Sequence, residues 1–206
     1  MKRDHRVLYQ AASWCLSYPD TELIGHIDLM HAALAEQRRT APKLAEFLRY
    51  LKCTELAVLQ RGYVDTFDFS KHHPLYLSYW TDGDTRRRGN VLAAFKQVYR
   101  NSDYLTNTHG ELPDFLPLVL EFAAIVNPEA GRELLLKYRP SLELLRLALS
   151  EHESPYAEVL TGVCDTLPGA SPSDREAVQR MAGYGPPAES VGLEPYDPRL
   201  LPLQGA

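Results

Sequence analysis

The chain has 206 residues, enough for one domain with a substantial core, and a formal net charge of −5 that makes no electrostatic case for DNA or RNA binding. Its three cysteines (Cys15, Cys53 and Cys164) are odd in number and far apart, so they outline neither a disulfide framework nor a zinc site. The start, MKRDHRVLYQ, lacks the apolar core of a signal peptide and no apolar run approaches about 20 residues, so a soluble, cytoplasmic protein without direct membrane insertion is expected.

Helical periodicity runs through nearly the whole chain. Val7, Ala11, Trp14 and Tyr18 recur at steps of three and four, with Leu8 and Cys15 widening the stripe. Asp20 has the position of an N-cap for a second helix whose apolar face is Leu23, Ile24, Ile27, Met30 and Leu34. A third helix starts near Pro42 and buries Leu44, Phe47, Leu48 and Leu51. A fourth carries Leu56, Leu59, Tyr63 and Phe67 on one face, although Gly62 costs about 1 kcal/mol in mid-helix. His72 and His73 precede Pro74 in a predicted solvated loop, and adjacent histidines share no helix face on which to hold a metal.

Further helices are predicted over Thr85–Asn101, Phe115–Val126, Glu129–Arg139, Ser141–Ser150, Pro155–Thr166 and Ser173–Ala182. Pro140 divides what is otherwise one long Leu-rich helix. No alternating strand pairs and no fixed-period repeat interrupt this pattern. The expectation is an all-α protein: one globular helical domain of about eight to ten helices over residues 1–183, then an extended or mobile Pro-rich tail over 184–206.

Two clusters stand out. In the first, Asp84 or Thr85 caps a helix whose first turn holds Arg86, Arg87 and Arg88, where each exposed cation opposes the helix dipole by about 0.3–1 kcal/mol. Stepping about 100° per residue from the apolar face (Val91, Leu92, Phe95, Val98, Tyr99) turns Arg88 inward, leaves Arg87 at the edge and points Arg86 away. An inward guanidinium needs a carboxylate, so a clasp of Asp84, Arg88 and an acid of the second cluster, Asp114 or Glu111, is predicted, the plain alternative being that all three arginines form a solvated patch. In that second cluster, ELPDFLP, Asp114 reads as an N-cap, with Pro117 in the first turn and Leu116, Val119, Leu120 and Ala123 as the buried stripe. A well-made helix start accounts for all of it except Glu111 and Glu121.

YVDTFD (Tyr63–Asp68), LYLSYWTDGDTRRRG (Leu75–Gly89) and ELPDFLPLVLEFAA (Glu111–Ala124) together closely resemble the NarJ family of nitrate reductase delta subunits, relatives of the wider TorD/DmsD group. The resemblance extends from LYQAASWCLSYPD (Leu8–Asp20) to VGLEPY near Tyr196. One position departs: the wider group often has a histidine after the Pro-Asp pair, and this chain has Phe115, so no role of that histidine carries over.

The resemblance implies a non-catalytic assembly chaperone that binds the apo catalytic (alpha) subunit of respiratory nitrate reductase, including its N-terminal leader-like peptide. It would hold that subunit ready for molybdenum cofactor insertion, in contact with the cofactor delivery machinery, and bind no cofactor stably itself. An amphipathic, partly basic peptide fits an apolar groove with acidic margins. On this sequence the groove would be lined by Tyr63, Phe67, Leu116 and Leu120, with Asp65, Glu111, Asp114 and Glu121 as acidic contacts and Arg86 left to meet the partner. Tyr63 and Phe67 share a helix face, so core packing is the plainer reading of both.

Two other classes compete. Asp65 and Asp68, or Asp82 and Asp84, could hold magnesium for an enzyme acting on a phosphorylated substrate, but no DDxxD run supports this. A nucleotide could meet Arg86–Gly89 at the helix start, but no GxxxxGK[ST] loop is present. The cysteines lie on predicted apolar helix faces, where structural thiols are usual.

Overall fold

A computed structural model describes residues 4–36, 41–82, 87–103 and 110–182. The predicted tail over 184–206, Asp84 and Arg86 lie outside the described residues. Eleven helices are found among the described residues, and no strand. In chain order they are α1 (Arg6–Cys15), α2 (Thr21–Glu36), α3 (Pro42–Cys53), α4 (Leu56–Tyr63), α5 (Tyr79–Asp82), α6 (Arg87–Asn101), α7 (Leu116–Glu121), α8 (Pro128–Lys137), α9 (Arg139–Glu151), α10 (Tyr156–Cys164) and α11 (Arg175–Met181). The short α5 is the one element that the periodicity did not suggest.

The first helix sits at the centre, packed against α2, α7 and α10. It stops three residues earlier than its stripe of apolar residues. Pro19 disfavours helical geometry at Tyr18, and the helix closes at Cys15 with Leu16 as its cap. The buried face is therefore Tyr9, Ala12, Cys15 and Leu16, while Tyr18 lies half-exposed beyond the end. Asp20 does cap α2, its Oδ1 accepting from the Leu23 amide at 2.8 Å. The α3 stripe of Leu44, Phe47, Leu48 and Leu51 is buried against α10, which also packs on α9. Asn127 and Asp174 cap α8 and α11 in the same way, accepting from Ala130 and Ala177. The break between α8 and α9 falls at Tyr138, one residue before the predicted Arg139, and Pro140 takes the first turn of α9, where its missing N–H costs nothing.

Two helices end in π-helical turns. The fourth runs on through Val64–Asp68, closed by the Phe69 amide donating to the Val64 carbonyl, with Thr66 Oγ1 donating to the Gly62 carbonyl at 2.7 Å. The seventh runs on through Phe122–Val126, closed by the Asn127 amide on the Phe122 carbonyl. Each inserts one extra residue per turn and rotates the chain downstream of it. The second π turn packs on α8 so closely that Gly131 lies against Ala123 with no room for a side chain between them.

Candidate functional site

The two sequence clusters meet in a clasp. An antiparallel bridge pairs Tyr76 with Phe115: the Leu77 amide donates to the Asp114 carbonyl at 3.1 Å and the Leu116 amide to the Leu75 carbonyl at 2.7 Å. This corrects the reading of Asp114 as a side-chain N-cap. Phe115 holds that position, and because a backbone carbonyl takes the Leu116 amide, the Asp114 carboxylate turns inward instead. There it is fully buried, and its Oδ2 accepts from the Ser78 amide at 3.0 Å and from Ser78 Oγ at 2.6 Å. Arg88 Nε donates to Ser78 Oγ at 3.3 Å, and Arg88 Nη2 lies 3.9 Å from Asp114 Oδ2. The arginine thus turns inward, as its helical position demands, but the hydrogen bonds run through Ser78. The same guanidinium lies over the rings of Tyr76 and Tyr79 at 5.7 and 5.9 Å. Tyr99 Oη, from α6, donates to the Pro113 carbonyl at 2.6 Å and ties down the other end of the loop.

Outside the clasp lies a surface of aromatic rings and acids. Tyr76 Oη donates to Glu111 Oε2 at 2.6 Å, and its ring lies 5.6 Å from that of Phe115. Burial raises the Tyr76 phenol pKa well above the ordinary tyrosine range, and the Glu111 carboxylate adds to the shift. The Tyr63 phenol is raised as well, first by burial and then by the charges of Asp68 and Glu111 and by Tyr76. The Tyr63 ring touches those of Phe67 (4.9 Å) and Tyr18 (5.6 Å), and its hydroxyl donates to the Leu16 carbonyl. Asp65 and Asp68 are exposed on the π turn, and Phe69 just beyond it is 80% exposed. Beside Tyr18 a recess of about 200 Å³ opens between Trp14, Asp20 and His26.

The structure separates the predicted groove residues. Tyr63, Phe67, Asp65 and Glu111 gather here, with Tyr63 itself buried and Phe67 half-buried. Leu116, Leu120 and Asp114 present no surface at all, because the inward face of α7 packs into the core against α1. They shape the site from beneath rather than line it. Glu121 ends α7, half-buried, six residues beyond Phe115 or about 9 Å along the axis.

Other expectations need correction as well. His73 is buried, not solvated: its Nδ1 lies 3.2 Å from the Thr66 carbonyl of the π turn and 3.0 Å from Ser70 Oγ, and burial lowers its pKa. Cys53 is exposed, whereas Cys15 and Cys164 are buried, and burial pushes their thiols far from the thiolate range. Sequence reasoning missed Ser78, and it missed a second clasp. There Glu143, fully buried, receives Arg146 at 2.7 Å, Arg139 at 3.5 Å and Ser171 Oγ at 2.8 Å, while the two arginines hold carbonyls of residues 168–172. The visible signal was an acid at a buried i, i+4 position between two arginines of α9. Among the described residues no three His, Cys, Asp or Glu side chains gather as a metal set, and no helix is long and apolar enough to cross a membrane.

This all-α arrangement is the fold of a redox enzyme maturation protein from Archaeoglobus fulgidus, whose crystal structure superposes with a TM-score of 0.60 at 24% identity, covering 80% of this chain and 94% of that one. With that fold, the chain belongs to the nitrate reductase delta subunit family, whose family model matches residues 31–162. It is 44% identical over 172 residues to the nitrate reductase-like protein NarX of Mycobacterium tuberculosis, covering 78% of this chain but only 24% of NarX, so it spans about a quarter of that relative's length. It is 37% identical over 159 residues to the Bacillus subtilis protein named probable nitrate reductase molybdenum cofactor assembly chaperone NarJ, covering 76% of this chain and 86% of that one.

Proposed function

We propose that the protein is a non-catalytic assembly chaperone for a nitrate reductase, binding the apo catalytic subunit in the cytoplasm and keeping it open to molybdenum cofactor insertion before membrane attachment. The observation that carries this reading is the family match over residues 31–162, which takes in every residue of the Ser78–Arg88–Asp114 clasp and, Tyr18 apart, the aromatic and acidic residues of the surface it supports. The molybdenum cofactor is cargo of the partner; the chaperone itself holds no cofactor stably.

The contact surface is the N-terminal peptide's groove, redrawn from the geometry. Tyr18, Phe67, Tyr76 and Phe115 supply apolar walls, and Asp65, Asp68 and Glu111 supply acidic margins for a partly basic amphipathic segment. Arg86 and Glu121 remain outer contacts in this proposal. Residues 1–183 form the working domain and 184–206 an appended tail.

The test is an anisotropy titration of the full-length protein with a labelled peptide from the N-terminus of the cognate catalytic subunit. Saturable binding is expected, weakened at least about tenfold in Phe67→Ser, since truncating a central aromatic anchor costs about 2 kcal/mol or more. No binding by either the full chain or a chain ending at residue 183 would overturn the groove.

A further inference from the structure

A separate cleft of about 670 Å³ opens between the start of α1, the start of α8 and the turn after α10. None of its lining residues belongs to the clasp or to the aromatic–acidic surface. Its volume falls in the range of small-ligand sites. Leu167, Pro128, Pro168 and Ala123 give it apolar walls.

The rest of the lining is polar or charged, and Arg132 is set among those side chains. Arg132 of α8 is half-buried, and its Nη1 donates to the Thr166 carbonyl at 3.2 Å and to Tyr9 Oη at 3.4 Å. Tyr9 Oη is itself bonded to Thr166 Oγ1 at 2.8 Å, so the anchor is rigid on both sides. This fixes one edge of the guanidinium. Its Nε and Nη2 have no hydrogen-bond partner among the described residues, and no carboxylate among them forms an ion pair with it. The Asp4 carboxylate in the same cleft is already engaged by Arg6, through Nε, Nη2 and the backbone amide. A half-buried guanidinium held by one edge is a planar fork offered to a planar oxyanion.

We propose that this cleft is a second ligand site, which takes a small monocarboxylate with an apolar body. The carboxylate pairs with Nε and Nη2 of Arg132, and the body lies against Leu167 and Pro128. The walls also include the exposed Asp165, whose charge repels a phosphate dianion about twice as strongly as a single carboxylate. The site is independent of the chaperone reading, and its variants leave peptide binding unchanged.

The experiment titrates the full-length protein with hexanoate, hexanol and hexylamine while following arginine Nε–H resonances by NMR. The Arg132 resonance is assigned by its loss in Arg132→Lys. Hexanoate is expected to shift it saturably and to bind at least about tenfold tighter than hexanol, the margin of one charge-assisted hydrogen bond. Hexylamine is expected to leave it unmoved. Arg132→Lys, which keeps the charge and loses the fork, weakens hexanoate, and Asp165→Asn, an exposed change, tightens it. Equal binding of hexanoate and hexanol, no saturable shift, or unchanged affinity in both variants overturns the proposal.

Discussion

Asp114 is a carboxylate with 0% exposure, and its oxygens are treated unequally. Oδ2 accepts two hydrogen bonds from Ser78, whereas Oδ1 is buried with no hydrogen-bond partner among the described residues. Arg88 stands 3.9 Å away, too far for a hydrogen bond, and reaches the carboxylate through Ser78 Oγ. The serine is therefore the hinge of the clasp, and removing it breaks the hydrogen-bonded link between the two charges. Asp114→Ala should cost about 3 kcal/mol, because Ser78 loses its acceptor and Arg88 loses a buried counter-charge 3.9 Å away. Ser78→Ala should cost about 1–3 kcal/mol, and Arg88→Gln less, since that guanidinium keeps contact with water and with two tyrosine rings. Urea midpoints at constant m-value give the order; Arg88→Gln costing as much as Asp114→Ala would mean that the direct ion pair holds the clasp. The inward turn of Arg88 was legible in the sequence, because helical phase fixes direction. Ser78 was not: nothing about a serine 36 positions from Asp114 announces that a backbone bridge will bring the two together.

At the scale of elements, the stripes of α2 and α3 and the cap of α2 follow from local rules, and so does the break before Pro140. What escaped was geometry that depends on neighbours: the π turns after α4 and α7, and the bridge that displaced Asp114 from its cap. Two glycines make the distinction measurable. Both look like liabilities worth about 1 kcal/mol in a helix. At Gly62 in α4 an added Cβ meets nothing within 4 Å, whereas at Gly131 in α8 it would fall on the backbone and Cβ of Ala123. Gly62→Ala should thus stabilise the protein by about 0.4–1 kcal/mol. Gly131→Ala should destabilise it by about 1–3 kcal/mol despite the better helix former, because α8 must back away from the second π turn. Thermal midpoints moving in opposite directions would bear out the close approach; a stabilising Gly131→Ala would refute it.

For the whole molecule, α1 and α10 pack together at the centre, and each carries a fully sheltered cysteine, Cys15 and Cys164. Burial raises both thiols, so neither supplies thiolate while the core is closed. Cys53, at the end of α3, is exposed. A thiol reagent should therefore find one fast equivalent in the native protein and two slow ones, whose rate follows opening of the entire core rather than local fraying. That separation turns the molecule into its own reporter of partner binding. A peptide that binds only the folded state, present at about a hundred times its dissociation constant, stabilises that state by about 2.7 kcal/mol, so labelling of Cys15 and Cys164 should slow about a hundredfold while Cys53 is unchanged. Loss of that protection in Phe67→Ser but not in Arg132→Lys would locate the peptide on the aromatic–acidic surface. Equal slowing of all three thiols would instead mean that the peptide covers Cys53 directly, and the contact surface would have to move to the end of α3.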